Sequence, residues 1–332
     1  MDGGAIAPSR RALRLTRPTL LVAESLNFSA TAALSACMHV RLANLSATEL
    51  IAELSDVEAL WVRLRFRIDD DLLEAAPRLR WLATPTTGTT HVDEAALARR
   101  GIELVCLRGQ ADFLKNIRAT SEHTVLLMLA ALRHLVPAAA HVVAGGWERD
   151  RFRGGELSGR TVGLIGLGRL GTQVAEVLGA FGAHVVGSDP HVHGHAVPNL
   201  PLHDVLAQSD IVSLHVALTP ATTGLVDAAF LRQMRPDATL INTARGEVVE
   251  SAAILHAIDT GRLATYATDV LDGERSEGNG AHPLVARAAF DPRVIVTPHL
   301  GGCTVESMRL TEQKLALDLV RRVSAASGRT AG

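Results

Sequence analysis

Three polar residues that follow predicted strands are the strongest candidates for chemistry in this chain. Arg245 comes shortly after the predicted strand 238–242, and His299 comes shortly after the predicted strand 294–297. Glu274 lies five residues beyond Asp269, which closes a third predicted strand. In open α/β sheets, ligands bind beyond the carboxyl ends of the strands. Side chains in these positions are therefore candidates for one shared site.

An arginine, a histidine and a carboxylate beside a nicotinamide ring suit hydride transfer between an alcohol and a carbonyl. Arg245 would bind a substrate carboxylate through its bidentate guanidinium fork. His299 would exchange a proton with the substrate oxygen, and Glu274 at the far ring nitrogen would fix the tautomer and favour the protonated ring. Each residue also has an ordinary alternative, since most of the fourteen histidines must be structural and loop arginines and glutamates are usually solvated. Sequence spacing alone does not bring the three together.

A glycine-rich turn predicts the element that would hold a nicotinamide cofactor. Gly166, Gly168 and Gly171 have the spacing G-x-G-x-x-G, after the apolar segment 162–165 and before a predicted helix over 172–181. The glycines permit a tight turn, a close approach of the backbone to a pyrophosphate, and close packing of helix on strand. The start of the helix presents unpaired N–H groups to the phosphates. The pattern predicts dinucleotide binding, and its alternative is a purely structural βαβ unit.

The residue after the next predicted strand favours NAD over NADP. The strand 184–188 ends at Asp189, eighteen positions after Gly171, where a carboxylate would hydrogen-bond the adenosine ribose. A carboxylate there would repel the 2′-phosphate of NADP. The residues that follow are Pro190 and His191 rather than an arginine pair.

Composition restricts the class of protein. The chain has 332 residues, 47% of them hydrophobic but only 3% aromatic, so its core must consist mainly of Ala, Val, Leu and Ile. A net charge of −2 gives no indication of binding to nucleic acid or to a membrane surface. Three scattered cysteines fit a reducing compartment, and no apolar segment reaches the ~18 residues that span a bilayer. We therefore expect a cytoplasmic protein, and we assign no metal site.

Strand-like and helical segments alternate along the chain, which predicts an α/β fold with two doubly wound parallel sheets. The first unit has no G-x-G-x-x-G motif, whereas the second has it and six candidate strands from Thr161 onwards. The apolar segment 119–144 predicts one or two buried helices that join the units, kinked or split by Pro137. A final helix over 305–323 is expected to pack back on the first unit. The predicted domains are 1–112 with 303–332, for substrate, and 113–302, for the cofactor.

Seven motifs give the chain a resemblance to the D-isomer-specific 2-hydroxyacid dehydrogenases. They lie at 88–93, 119–124, 166–171, 218–225, 244–246, 269–270 and 297–299 and cover nearly the whole chain. The resemblance implies a Rossmann dinucleotide-binding domain inserted in a flavodoxin-like substrate domain, with NAD as cofactor. It also implies a homodimer built on the cofactor domains, with a small 2-hydroxy or 2-keto acid enclosed between the two domains.

The resemblance also implies roles for particular residues. The family's arginine, glutamate and histidine fall on Arg245, Glu274 and His299. Including the glycine turn, the cofactor-binding residues assigned in this way are Gly166, Gly168, Arg169, Leu170, Gly171, Asp189, His215, Val216, Ala217, Thr243, Ala244, Arg245, Asp269, His299 and Gly301. The substrate-binding residues are Leu64, Arg65, Gly88 and Arg245.

Two questions about the substrate remain open at this point. The alternating arginines Arg63, Arg65 and Arg67 would suit a second anionic group, as in a phosphorylated or phosphonate-bearing hydroxy acid. Their alternative, and the one favoured by sequence, is the basic solvent-exposed face of an edge strand. Glu274 argues against formate oxidation, because formate-oxidising relatives have glutamine there. Thr87 argues against phosphite oxidation, because phosphite-oxidising relatives have lysine at that position.

The chain departs from the family pattern in three places near the candidate site. Arg275 stands where a proline usually follows the glutamate, Leu271 replaces an aromatic residue, and Ala217 replaces a proline. A competing class remains, namely a non-catalytic NAD(H)-sensing module that binds protein partners, because some relatives of that kind keep the same three polar residues.

Overall fold

The structure is a computed structural model that describes residues 17–192, 194, 196–274 and 279–328. The chain divides into two compact units, with boundaries after Gly109 and after Met308. The last segment of the chain therefore belongs with the first. These boundaries differ by a few residues from those proposed from sequence, and the assignment of substrate and cofactor to the two units stays a prediction.

The first unit contains a five-stranded parallel sheet with the strand order β2-β1-β3-β4-β5. Its strands are β1 (Thr19–Val22), β2 (His39–Leu42), β3 (Ala59–Trp61), β4 (Trp81–Ala83) and β5 (Glu103–Val105). Its helices are α1 (Phe28–Ser35), α2 (Ala47–Ala52), α3 (Asp70–Glu74), α4 (Glu94–Arg100) and most of the final helix α13 (Val305–Ala326). Leu20, Leu60 and Leu82 are completely buried in three of these strands. Apolar strands buried on both faces are typical of parallel sheets covered by helices.

Side-chain caps fix where the helices of this unit begin. Asn27, Asp69 and Asp93 each accept a hydrogen bond from a backbone N–H of the first helical turn, and Ser46 forms a capping box with Glu49 before α2. Such caps satisfy N–H groups that have no partner within the helix. The caps therefore fix the position at which each loop that follows a strand passes into the next helix.

The arginine-rich segment 63–67 is not part of an edge strand. β3 ends at Trp61, pairs with β1 and β4, and lies in the middle of the sheet. The prediction of a basic edge-strand face is therefore wrong. The segment is instead a loop that follows the carboxyl end of a central strand, and its Phe66 side chain is buried in the core.

The second unit contains a six-stranded parallel sheet with the order β11-β10-β9-β8-β6-β7. Its strands are β6 (Thr161–Ile165), β7 (His184–Ser188), β8 (Ile211–Leu214), β9 (Ala238–Asn242), β10 (Leu263–Thr268) and β11 (Val294–Val296). Its helices are α5 (Ala111–Leu114), α6 (Ala119–Leu132), α7 (Leu135–Val143), α8 (Arg169–Ala180), α9 (Leu202–Gln208), α10 (Ala228–Gln233), α11 (Ser251–Asp259) and α12 (Pro283–Ala288). The two parallel sheets confirm the predicted α/β class, and all six strands expected after Thr161 are present.

The apolar segment 119–144 forms two helices of different character. The chain breaks at His134, whose φ of 50° is left-handed, so that Pro137 falls in the first turn of α7, where no backbone N–H is required. α6 is extensively buried, but no residue of α7 is. The expectation of burial is therefore wrong for α7.

No single helix of the described residues is long and apolar enough to cross a bilayer. α6 and α7 would meet the length and composition required only if taken together, and they are bent by 66°.

Candidate active site

The glycine turn after β6 has the close contacts that its motif requires. Gly166 has a φ of +100°, and a Cβ there would lie 2.9 Å from the carbonyl of His215. A Cβ on Gly171 would lie 2.1 Å from the carbonyl oxygen of Gly166, so the first turn of α8 packs directly on the loop. Gly168, in contrast, has no atom within 4 Å of an added Cβ. The turn is thus closed on the protein side and open where a pyrophosphate would approach, which fits a dinucleotide.

The side chains around this turn fix its shape. Asp189, after β7, accepts hydrogen bonds from the backbone N–H groups of Leu167 at 2.9 Å and of His191 at 2.8 Å. Its carboxylate oxygens keep further lone pairs for ribose hydroxyls. The Arg169 guanidinium is directed away from solvent, toward the carbonyl oxygens of Leu114 and Ile117 at 3.4 Å, and burial lowers its pKa. A phosphate contact of Arg169 would therefore use its backbone N–H.

His215, at the end of β8, lies beneath the glycine turn. Its Nε2 is shielded from solvent and has no hydrogen-bond partner among the described residues. Burial lowers the pKa of His215 to about 4, so its ring is neutral at neutral pH. Val216 is half-buried and Ala217 is exposed, so the chain leaves the sheet here and reaches the surface.

The loop that carries Arg245 is fixed by the last residue of β9. Asn242 is completely buried, accepts a hydrogen bond from Ala244 N at 3.0 Å and donates one to the Arg245 carbonyl at 3.0 Å. Thr243 shares a hydrogen bond of 2.8 Å with Thr124 of α6. Burial lowers the pKa of Arg245, and the negative charges of Glu274 and Glu247 oppose that shift. Arg245 therefore remains a cation that is largely removed from water and lies within electrostatic range of Glu274.

Glu274 and His299 form a direct pair. Glu274 Oε1 lies 2.5 Å from Nδ1 of His299, and both side chains are about one-quarter exposed. His299 has a left-handed φ of 55°, an uncommon conformation for a residue with a Cβ, and its backbone N–H donates to the carbonyl of Asp269 at 3.0 Å. Backbone strain of this kind concentrates at functional sites. Arg275, which replaces the usual proline, lies outside the described residues.

Asp269 organises the segment around His299. Its carboxylate is 2% exposed and accepts hydrogen bonds from Thr297 Oγ1 at 2.6 Å and from the N–H groups of Leu300 and Gly301 at 2.7 Å each. His123 Nε2 lies 3.2 Å from the same carboxylate. Burial raises the pKa of Asp269, but the hydrogen bonds of His123, Thr297, Leu300 and Gly301 outweigh that effect and lower it. The carboxylate is therefore ionised and shapes the turn on which His299 is carried.

The residues assigned to the substrate, other than Arg245, lie in the first unit. Arg63 is held between two carboxylates, that of Glu312, in direct contact, and that of Glu24 at 3.8 Å. Arg65 is exposed and donates to Asn44 Oδ1 at 2.5 Å and to a backbone carbonyl.

Arg63 and Arg65 border a hollow in the first unit. It has a volume of about 370 Å³ and is lined by Glu24, Ser25, Leu42, Ala43, Asn44, Arg63 and Arg65. Leu64 is half-buried, and the Gly88 carbonyl accepts a hydrogen bond from Thr86.

Several residues that shape the site were given no role in the sequence analysis. Asn242 and His123 act through hydrogen bonds to partners that only the fold brings near. Gly246 is required by contact, because a Cβ there would lie 1.9 Å from the backbone of Leu271. The motif 244–246 included this glycine, but nothing local indicated that the turn before Glu274 packs on it.

Comparisons with known proteins indicate the family and the fold of this chain. Residues 125–301 match the family model described as D-isomer specific 2-hydroxyacid dehydrogenase, NAD binding domain. The D-3-phosphoglycerate dehydrogenase of Mycobacterium leprae (strain TN) is 35% identical over 297 residues, which are 87% of this chain and 54% of that protein. The chain thus spans about half the length of the curated relatives it matches.

Two solved structures illustrate the similarity of fold. The TT0316 protein from Thermus thermophilus has 31% sequence identity and a TM-score of 0.78, covering 94% of this chain and 97% of its own. The NAD-dependent formate dehydrogenase from Staphylococcus aureus, solved in complex with NAD, has 25% identity and a TM-score of 0.80, covering 92% and 96%. By the match of its second unit, which accounts for more than half of the sequence, the chain belongs to the family of D-isomer-specific 2-hydroxyacid dehydrogenases and carries that family's NAD-binding domain.

Proposed function

We propose that this protein is an NAD-dependent oxidoreductase that interconverts a small D-2-hydroxy acid and its 2-keto acid. The observation that carries the proposal is the 2.5 Å pair between Glu274 Oε1 and His299 Nδ1. A carboxylate at one ring nitrogen fixes the tautomer and leaves the other nitrogen for proton exchange with a substrate. Arg245, partly buried and cationic, lies within electrostatic range of Glu274.

The proton path follows from the orientation of the imidazole ring. Because Nδ1 faces Glu274, Nε2 is the nitrogen that would meet the substrate oxygen. In the direction of reduction, Nε2–H of the protonated ring passes its proton to the carbonyl oxygen as that oxygen gains the electron pair of the C=O π bond. NADH, when bound, supplies the hydride to the carbonyl carbon. In oxidation, neutral Nε2 takes the hydroxyl proton, and the charge that develops on the ring is stabilised by Glu274.

Arg245 would orient the substrate. Its fork binds a carboxylate through two parallel hydrogen bonds, which sets the adjacent carbonyl at a fixed angle to His299. Water exclusion around Arg245 strengthens this contact. The segments 215–217 and 243–245, the glycine turn and Asp189 would hold the cofactor, and Asp269 and Gly301 would form the nicotinamide end of its site.

A panel of 2-keto acids with NADH tests the proposal directly. We expect turnover of at least one member, and a loss of ~10² to 10⁴ in kcat for His299→Ala, the range for removal of a general acid. The affinity for NADH, measured by fluorescence titration, should change little. NADH binding without turnover of any member would instead support the alternative, a non-catalytic NAD(H)-sensing module.

A phosphorylated or phosphonate-bearing hydroxy acid is a second candidate substrate. The relative from Mycobacterium leprae is named D-3-phosphoglycerate dehydrogenase. Arg65 is exposed beside a hollow in the first unit and would be the group that binds a second anion, and Arg63 is flanked by Glu24 and Glu312. The same panel, extended with dianionic keto acids, separates the two substrate classes.

Exposed apolar side chains on α6, on α7 and just after α7 support a homodimer. Leu126, Leu135, Val136, Val142, Val143 and Trp147 are each at least 49% exposed, and Val143 and Trp147 are 91% and 86% exposed. Exposed apolar patches of this kind mark association surfaces. We propose a second copy of the chain as the occupant, and expect Val143→Glu to convert a dimer to a monomer in light scattering. An unchanged mass for the variant, or a monomeric wild type, would contradict this assignment.

A further inference from the structure

The turn that carries Glu274 is held by a cluster of side-chain hydrogen bonds on its outer side. Ser251 Oγ donates to Asp272 Oδ1 at 2.7 Å, and His282 Nε2 lies 2.9 Å from the same oxygen. We call Ser251, Asp272 and His282 the Asp272 clasp. The clasp joins the start of α11, the turn after β10 and the residue before α12, three segments that are distant in sequence.

The protonation state of the clasp is fixed by its hydrogen bonds. His282 Nδ1 accepts a hydrogen bond from the backbone N–H of Leu284 at 3.2 Å and so caps α12. The proton of the neutral ring must therefore be on Nε2, which donates to Asp272. Burial raises the pKa of Asp272, but the hydrogen bonds from Ser251 and His282 lower it below its usual value. The clasp thus joins an ionised carboxylate to the Nε2–H donor of His282.

The clasp is connected to the candidate catalytic pair through a tight turn. Glu274 N donates to the carbonyl of Leu271 at 3.3 Å, and Leu271 N donates to Glu274 Oε2 at 3.3 Å. Gly273 between them has a left-handed φ of +61°. Asp272 lies inside this turn, two residues before Glu274. Fixing Asp272 therefore fixes the backbone from which Glu274 reaches His299.

The inner side of the same turn is closed by Gly246. A Cβ on Gly246 would lie 1.9 Å from the carbonyl carbon of Leu271 and 2.1 Å from Asp272 N, so the two backbones are in direct contact. Held by this contact on one side and by the clasp on the other, the turn has little freedom to move. This rigidity matters because Glu274 and His299 are paired at 2.5 Å, and a misplacement of about 1 Å can cost ~10²-fold in rate.

We propose that Asp272 and His282 are positioning residues, which act on hydride transfer by holding Glu274 against His299. The proposal rests on the proposed function, in which the Glu274–His299 pair handles the proton. Among the described residues, the side-chain partner of His299 is Glu274 rather than Asp272 or His282, so the effect of these two residues must pass through Glu274.

Two substitutions of His282 separate the clasp from its helix cap. Glutamine places an amide N–H near the position of Nε2 and can keep the bond to Asp272, but it loses the acceptor for Leu284. Asparagine places an oxygen near the position of Nδ1 and keeps the cap, but it is too short to reach Asp272. We expect His282→Asn to lower kcat about tenfold with an unchanged KM for NADH, and His282→Gln to keep most of the activity with a lower Tm.

The double variant with Glu274→Gln distinguishes positioning from a general loss of stability. If the clasp acts through Glu274, adding His282→Asn to Glu274→Gln should change kcat less than twofold, because the interaction it supports has already been weakened. A full tenfold additional loss would overturn the proposal, as would equal activity losses in the asparagine and glutamine variants. Wild-type activity of His282→Asn would also overturn it.

Failure of the clasp and failure of the proposed function give different results. If Glu274→Gln itself leaves turnover unchanged, the function proposed for the pair fails. If Glu274→Gln is impaired and His282→Asn is not, only the clasp fails. A readout without turnover is the low-field NMR signal of the His299 Nδ1 proton, identified by its absence in His299→Ala. We expect it in His282→Gln and expect it lost or broadened in His282→Asn; an unaltered signal in the asparagine variant would contradict the proposal.

Discussion

Both parallel sheets have charged residues beyond their strand ends, but these residues differ in solvent exposure and in hydrogen bonding. In the second unit, Asp269 is 2% exposed and its carboxylate accepts two backbone N–H groups and a threonine hydroxyl. In the first unit, Arg65 is exposed and its guanidinium is bonded to one side-chain amide and one backbone carbonyl.

This difference separates two physical tasks. Groups that exchange a proton or fix a reacting carbonyl must be pre-organised and shielded, because their electrostatic effect is large only where water is excluded. Groups that recognise the remote end of a substrate can stay hydrated and adjustable. We therefore expect large effects on rate from the second sheet and small, substrate-dependent effects from the first. The following predictions test that contrast.

Among the groups proposed to bind the substrate, the largest effect is expected from Arg245. Replacing it by lysine keeps the positive charge but loses the bidentate fork, and we expect kcat/KM for a keto acid to fall by about 10²- to 10³-fold, since buried charge-assisted hydrogen bonds are worth several kcal/mol. Steady-state kinetics measures the loss, and NADH titration provides the control for cofactor binding. A tenfold or smaller loss would mean that Arg245 does not need a fixed, shielded geometry, and it would contradict the proposed difference between the two sheets.

Local patterns in the sequence predicted the second sheet well for a physical reason. Strand periodicity and glycine spacing are properties of short segments, so β6, the turn at 166–171 and the strand ends near Arg245 and His299 could be located without tertiary information. The fold class and the family followed from these segments. The pairing of Glu274 with His299, 25 residues apart, was expected from the family resemblance rather than from the spacing.

What the sequence did not predict depends on contacts between distant segments. Glu312 is 249 residues from Arg63, which it pairs with, so a guanidinium that looked available for a substrate is already partnered. Asp272 and His282 were given no role from the sequence, and only the fold shows that they meet beside Glu274. The exposure of α7 was also missed, because composition alone does not distinguish a core helix from one whose apolar side chains are exposed.

An intermediate effect is expected from His215, as a loss of stability in acid. The pKa of His215 is lowered to about 4 in the folded protein, from 6.5, by burial. Between these values the unfolded chain binds more protons than the folded one, so stability falls as the pH falls through this window, by about 2 kcal/mol at pH 5 and about 3 kcal/mol at most. Urea unfolding at pH 7.5 and at pH 5 measures this change in the free energy of unfolding.

His215→Gln supplies the matched control, because glutamine does not titrate. Other groups that titrate between pH 7.5 and 5 contribute equally to both proteins, so the difference between the two pH dependences isolates His215. We expect the variant to lose about 2 kcal/mol less than the wild type over this interval. If the stability of both proteins depended on pH in the same way, the His215 ring would be hydrated. The region beside the glycine turn would then be less shielded from water than we propose for the second sheet.

The smallest effect is expected from Arg65. Since this guanidinium is exposed, Arg65→Ala should raise KM about three- to tenfold for a dianionic keto acid and leave KM for a monoanionic one unchanged, as expected for a hydrated ion pair worth about 1 kcal/mol. The dianionic effect should weaken at high salt. Arg67→Ala is the matched control, because Arg67 is also exposed but lies 3.7 Å from Asp69 and does not line the hollow. Equal effects of the two substitutions, or no effect of Arg65→Ala, would show that this segment does not bind the second charge of the substrate. Any selectivity contributed by the first sheet would then depend on shape rather than on charge.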